Sequence, residues 1–330
     1  MMFFKLRQLI MKTIQVLCLG EILIDYLADQ VETNLELVKS WTAYPGGALA
    51  NVACALVKLG TKSAYIGCIG ADELGKELEK VLLEVGVDTN GVVIHPSAPT
   101  RRVYVLRSPD GERTFAGFGD YSPDVFADAY LQPESLREDL FINADFLVLG
   151  TLELAYPITR KAIWRALELA DYYNLKVVVD LNWRECFWLN PDEAKPLIKQ
   201  LLKSVDFLKL ATEEAEWLFN STDAGAIAHR GGDFEGVLVT SGANPVSYCL
   251  RDNEGTITPK SFTVVDTTGA GDSFLAGFIH QLTQQGINAL DNPHTAQDIV
   301  NYACLIGGLT TTQLGAISAQ PTLADVQRLI

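Results

Sequence analysis

Apolar runs and polar segments alternate along this chain at two different periods. The stretches 14–27, 63–70, 146–150, 176–182, 206–210 and 236–242 are almost wholly apolar. Short runs of this kind fit strands covered on both faces. Between them, apolar residues recur at helical spacing over about 48–60, 72–85, 157–173, 191–203, 213–220 and 272–285. The alternation predicts a parallel, doubly wound α/β sheet. Ligands of such sheets bind beyond the carboxyl ends of the strands. Asp25, Asp180, Asn182 and the turn at 240–242 therefore become candidates. Two polar segments, 28–44 and 98–119, interrupt the pattern, and the second carries a hairpin signal at Pro109-Asp110-Gly111. They predict a small β lid inserted into one domain over 14–330, with 1–13 as an N-terminal extension.

One stretch carries more than periodicity. In DTTGAGDSFLAGF (266–278), Gly269-Ala270-Gly271 predicts a tight turn, and Phe274, Leu275, Phe278, Ile279 and Leu282 form one helical face. Asp272 then sits at or just inside a helix start. It is either a simple cap or a carboxylate beside an anion site made of free amides and the positive helix end.

Composition narrows the classes. The chain has 330 residues and a net charge of −15, which argues against a nucleic-acid partner and an anionic membrane surface. A phosphate-bearing ligand would need local positive groups or a metal. The six cysteines form no C-x-x-C pair and lie mostly in apolar runs, which predicts buried free thiols. The four histidines lack ligand spacing, against a His-rich zinc site. Charge interrupts the apolar residues of MMFFKLRQLIMKT, so no signal peptide is expected, and Met11 is an alternative start. A cytoplasmic protein is expected.

GADELGK (70–76) has P-loop spacing, but Glu77 stands where Ser or Thr would hold magnesium. Asp72 as a helix cap fits better. GEILID lacks the G-x-G-x-x-G of dinucleotide sites, which argues against a dehydrogenase.

YPGGALANVACALVKLG (44–60) and DTTGAGDSFLAGF together resemble the two signatures of the ribokinase/fructokinase (pfkB-type) sugar kinases. GEILIDY (20–26), GADELGKELEKVLLEVGVD (70–88) and TTTQLGAISAQPT (310–322) resemble the same family in the same order. The resemblance implies a ribokinase-like α/β fold, a central, mostly parallel sheet flanked by helices with a small β lid. It also implies transfer of the ATP γ-phosphoryl group to a sugar hydroxyl.

The same resemblance assigns residues. Asp272 becomes the catalytic base, and the amides of Gly269, Ala270 and Gly271 an anion hole, a task that suits preorganised N–H donors. Asp25, Gly46, Gly47, Asn51 and Arg184 would bind the sugar. DLNWRECFW (180–188) looks like the D-x-N-x-R…W segment of fructokinases and of 2-keto-3-deoxygluconate kinases, with Asn182 orienting phosphate or hydrated magnesium and Trp188 packing. Thr240, Gly242 and Cys304 fall in the nucleotide region, where Pro245 and Cys304 depart from the family pattern. Glu214 matches the magnesium-linked glutamate, although Ala211 replaces its usual Asn or Ser neighbour. Asp266 and Thr268 lie where some relatives bind a monovalent cation, so potassium activation is expected as a hypothesis.

The expectation is an ATP- and Mg2+-dependent fructokinase making fructose 6-phosphate, with a homodimer through the lid as a further possibility. The alternatives are a 2-keto-3-deoxygluconate kinase, a ribose or nucleoside kinase, and a binding sensor without catalysis. GFGDYSPD (117–124) contains Asp120 and no arginine, which favours a neutral sugar over an acid sugar.

Overall fold

The computed structural model describes residues 14–31, 34–107 and 113–329. Its strands, in chain order, are β1 (Val16–Leu19), β2 (Leu23–Ala28), β3 (Trp41–Gly46), β4 (Ser63–Gly70), β5 (Asp88–His95), β6 (Arg102–Arg107), β7 (Arg113–Gly117), β8 (Phe146–Leu149), β9 (Lys176–Asp180), β10 (Phe207–Ala211), β11 (Gly236–Ser241), β12 (Asn244–Leu250) and β13 (Asn253–Ile257). The large sheet has the order β13-β12-β11-β10-β9-β8-β1-β4-β5, and the small one β3-β2-β6-β7. The large sheet is parallel from β11 to β5, while β12 and β13 are antiparallel.

Neighbouring residues of one strand serve opposite faces of the large sheet. Leu17, Leu19, Leu147 and Leu149 belong to one apolar cluster, while Val16, Cys18, Phe146 and Val148 belong to the other. That is why these strands read as unbroken apolar runs. Strand β1 pairs with β8 on one side and β4 on the other. The chain therefore departs in both directions from β1, and a crevice opens beyond its carboxyl end.

The apolar run 14–27 is not one strand. It breaks at Gly20-Glu21-Ile22, and β2 enters the lid sheet. Two contacts turn the chain out of the large sheet. The Tyr65 hydroxyl donates to Gly20 O at 2.5 Å, and Glu21 Oε1 accepts the Ala48 amide at 2.6 Å. Asp25 consequently lies in the lid rather than at the end of the first strand. The lid strands begin earlier than the predicted insertion at 28. The hairpin tip at 109–111 lies outside the described residues.

The helix Pro157–Tyr173 has its expected bounds. The segment 191–203 is helical only over Ala194–Leu201, with single 3-10 turns on either side. The helix Pro293–Thr310, absent from the sequence expectation, packs on the helix Ala270–Gln285. Asp72 caps the helix Glu73–Val85 through Gly75 N and also accepts from Thr100, so the P-loop-like spacing is a capped turn. Among the described residues, no helix is long and apolar enough to cross a membrane.

Candidate active site

The two glycine-rich stretches meet in the crevice beyond β1. Gly47 precedes the helix Ala48–Lys58 with φ 104°, a conformation open to glycine, and an added Cβ would lie 2.5 Å from Glu21 O. One turn into that helix, the Asn51 side-chain amide donates to Asp272 Oδ2 at 2.8 Å. Gln320 holds the same turn by donating to Asn51 O at 2.8 Å. Across β2 and β3, an added Cβ on Gly46 would approach Asp25 Oδ2 to 2.4 Å. Asp25, Gly46, Gly47 and Asn51 thus converge near Asp272.

Asp272 is the third residue of the helix Ala270–Gln285, whose N-cap is Gly269 with φ 75°. Burial and the nearby Asp180 charge push its carboxyl up to about 6, against Asn51, Lys209 and Arg184, which favour the carboxylate. A carboxyl raised this far is still mostly a carboxylate at neutral pH, and it binds a proton more readily than an ordinary aspartate. Ala270 N donates to Thr267 O at 3.2 Å, so this amide closes the turn. That leaves Gly269 and Gly271 as the stronger candidates for an anion hole.

Lys209 was not singled out from the sequence. It lies in β10, is buried, and binds both oxygens of Asp180 at 2.9 and 3.0 Å. A Cβ added to Gly271 would be 2.9 Å from its Nζ, so the ammonium adjoins the proposed anion hole. Burial alone would lower its pKa, but Asp180, Glu214 and Asp272 together hold it above the ordinary value. The available signal was a lysine inside the otherwise apolar run DFLKL.

Glu214 is buried at the start of the helix Thr212–Phe219 and accepts from Ala211 N at 2.8 Å and Trp183 N at 2.9 Å. Ala211 has no side chain to cap this helix, and Glu214 reaches back to its amide instead. Burial raises the Glu214 pKa, and the Lys209 charge opposes the shift. Asn182 adopts φ 37° just past β9. Arg184 follows it, half exposed, 3.5 Å from Glu214, and Trp183 stacks on Trp217 to anchor the loop. Trp188 is buried in the core, as expected for packing.

A cavity of about 400 Å³ adjoins the turn at Ala270-Gly271. Thr240, Gly242 and Cys304 all line it, together with Phe262, Ala270 and Gly271. Burial pushes the Cys304 thiol up to about 12, so it presents a neutral S–H. Asp266 is buried and accepts from Thr268 N, Thr268 Oγ1 and Gly315 N at 2.8–3.0 Å. The Asp266–Thr268 loop and Gly315 share a small cavity with Asp25 and Tyr44 of the lid.

The model of the pfkB family carbohydrate kinases matches residues 13–323. The chain belongs to that family. This carbohydrate kinase is 32% identical over 314 residues to fructokinase-2 of Solanum lycopersicum, covering 94% of each chain. It is also similar to a fructokinase from Xylella fastidiosa with bound ATP, at TM-score 0.87 and 29% identity, covering 97% of this chain and 98% of that one. A fructokinase double mutant from Vibrio cholerae, in a fructose-, ADP- and potassium-bound form, matches at TM-score 0.82 and 26% identity, covering 96% and 98%. The ribokinase-like fold with a small β lid is therefore the fold of this kinase.

Proposed function

We propose that this kinase transfers the γ-phosphoryl group of ATP to fructose, giving fructose 6-phosphate and ADP. The observation that carries the reading is the 2.8 Å contact between Asn51 and Asp272, which joins the two signatures in one crevice. On one side lie Asp25 and Gly46-Gly47, a polar wall for sugar hydroxyls. On the other lies the nucleotide-sized cavity lined by Phe262 and Cys304.

In this reading the sugar is held by Asp25, Asn51 and the Gly46-Gly47 backbone, with its 6-hydroxyl at Asp272. The hydroxyl oxygen attacks the γ-phosphorus while its proton passes to the Asp272 carboxylate. The bond to the ADP oxygen breaks, and ADP leaves with that electron pair. The Gly269 and Gly271 amides and the Lys209 ammonium counter the charge on the transferring group. Arg184 reaches the sugar or the phosphates from the rim. Glu214 and Asn182 fit a hydrated Mg2+, since such a site uses few carboxylates and several waters. When bound, the ion screens the phosphate charge. Asp266 and Thr268 would serve a monovalent cation. Equal activity in potassium and in an inert organic cation would end that part of the reading.

A neutral sugar is favoured over an acid sugar by the lid. Arg101 is buried, locked onto Asp128, and enclosed by the Phe118, Phe126, Tyr156 and Phe187 rings. Its charge is paired with Asp128 rather than free for a substrate carboxylate. Coupled ADP release with ATP and magnesium, across fructose, ribose, glucose, 2-keto-3-deoxygluconate and adenosine, tests the assignment. A dominant fructose signal is expected, and a dominant signal with another acceptor would replace it. A homodimer through the lid and a cytoplasmic location belong to the same reading. Light scattering of the purified protein and cell fractionation test them.

A further inference from the structure

Behind the crevice, two carboxyl groups face each other in the protein interior. Glu21, in the link between β1 and the lid, is 3% exposed, and Glu153, just after β8, is 1% exposed. Their carboxyl groups lie close enough to share a hydrogen bond once one of them carries a proton. Among the described residues, both oxygens of Glu153 and Glu21 Oε2 are buried with no side-chain donor from outside the pair. Two carboxylates offer only acceptors, so a buried contact between them requires a proton. Glu21 Oε1 accepts the Ala48 amide at the N-terminus of the helix Ala48–Lys58, which favours the negative charge on Glu21. The proton then belongs to Glu153.

We propose that Glu153 is a positioning residue: as a neutral acid it donates to the Glu21 carboxylate and so holds the start of the helix Ala48–Lys58, keeping Asn51 aligned with Asp272. The inference rests on the reading of Asn51 and Asp272 as the reacting site. Every group facing the pair bears on its proton. Asp272 acts against the charge on Glu21, and Asp128 against that on Glu153. Arg101 also faces Glu153, but it is committed to Asp128. Tyr65 and Tyr156 are phenols held neutral by burial. Burial raises both acids of the pair, Glu21 to about 7 and Glu153 well above the ordinary range. An acid raised in the fold stabilises it at low pH, and the contribution is lost as pH rises through the folded pKa. Alkaline pH therefore places a second charge in the pair and loosens the helix start.

The test uses the full-length enzyme with fructose, ATP and magnesium. Glu153→Gln replaces the O–H donor with an N–H donor that does not titrate. It should keep neutral-pH kcat/KM within about twofold and lose the alkaline decline of both kcat/KM and Tm. Glu153→Ala should lower kcat/KM by about tenfold or more, since a hydrogen bond to a charged group is lost. An alanine variant with wild-type kinetics, or a glutamine variant with the wild-type alkaline fall in Tm, would overturn the proposal. Infrared spectroscopy of the wild type supplies a readout independent of activity. A protonated-carboxyl band at pH 8, absent from Glu153→Gln, is expected, and its absence from the wild type would overturn the proposal. If Asp272→Asn proved fully active, the reading of the reacting site would fall, whereas the infrared band would still report on the shared proton.

Discussion

The crevice and the hinge, where the β1–β2 link at Glu21 meets Glu153, each bury a group of carboxyls, and they neutralise them by opposite means. In the crevice, Asp180, Glu214 and Asp272 surround the Lys209 ammonium. At the hinge, Glu21 and Glu153 make no ion pair among the described residues, and Arg101, the cation that faces Glu153, is paired with Asp128. A cation leaves its acids ionised and available to accept a proton or hold a metal. A shared proton removes one charge and leaves a structural tie. The difference separates acids suited to chemistry from acids suited to alignment.

The largest effect should come from the crevice. Asp272→Asn should lower kcat by about 10²–10⁴-fold, the range of a general base, with little change in Tm; ADP release and thermal melting measure both. Near-normal turnover would remove Asp272 from the chemistry. Lys209→Met should destabilise the protein by about 3–5 kcal/mol in denaturant unfolding, because it strands the buried Asp180. Lys209→Met with Asp180→Leu should recover much of that stability and none of the activity. If the single variant melted like the wild type, the contrast between cation and proton would fail. A smaller effect follows from pH. Asp272 must be a carboxylate to act as base, and its pKa is raised to about 6. Wild-type kcat/KM should therefore fall by about tenfold per unit below that pH, whereas an unperturbed aspartate would hold activity to near pH 4. The smallest effect is expected at the nucleotide cavity. Cys304→Asn adds a donor and an acceptor where a neutral thiol now stands, and should lower the KM for ATP by about two- to tenfold without moving kcat.

The six central strands of the large sheet, from β11 to β4, were legible because strands buried on both faces are mostly apolar. The crevice was legible because backbone approach to phosphate demands glycine, which leaves a mark at Gly269 and Gly271. The hinge was not. Residues 14–27 are apolar across Gly20-Glu21-Ile22, and the turn there is made by Tyr65 and Ala48, which lie far along the chain. Strands β12 and β13 escaped because Pro245 and Gly255 interrupt their pattern. The helix Pro293–Thr310 escaped because its buried face is built partly of Ala and Gly, at Ala296, Ala303 and Gly307. Glu153 carried no sequence signal at all. A glutamate between two leucines in TLELAY becomes informative only when Glu21 is found beside it.

The lid sheet is assembled from two separate chain segments, β2 with β3 and β6 with β7, joined by the parallel pairing of β2 and β6. For protein engineering, this means the lid is not a cassette. Transplanting one from another sugar kinase would need two segments and so four splices. One would fall at Glu21, which anchors the helix carrying Asn51, and another at Arg101, which pairs with Asp128. Chimeras would inherit broken charge partners at both of these joints. Exchange of acceptor specificity is better sought by point changes on the inner faces of β2 and β3 than by swapping the whole sheet.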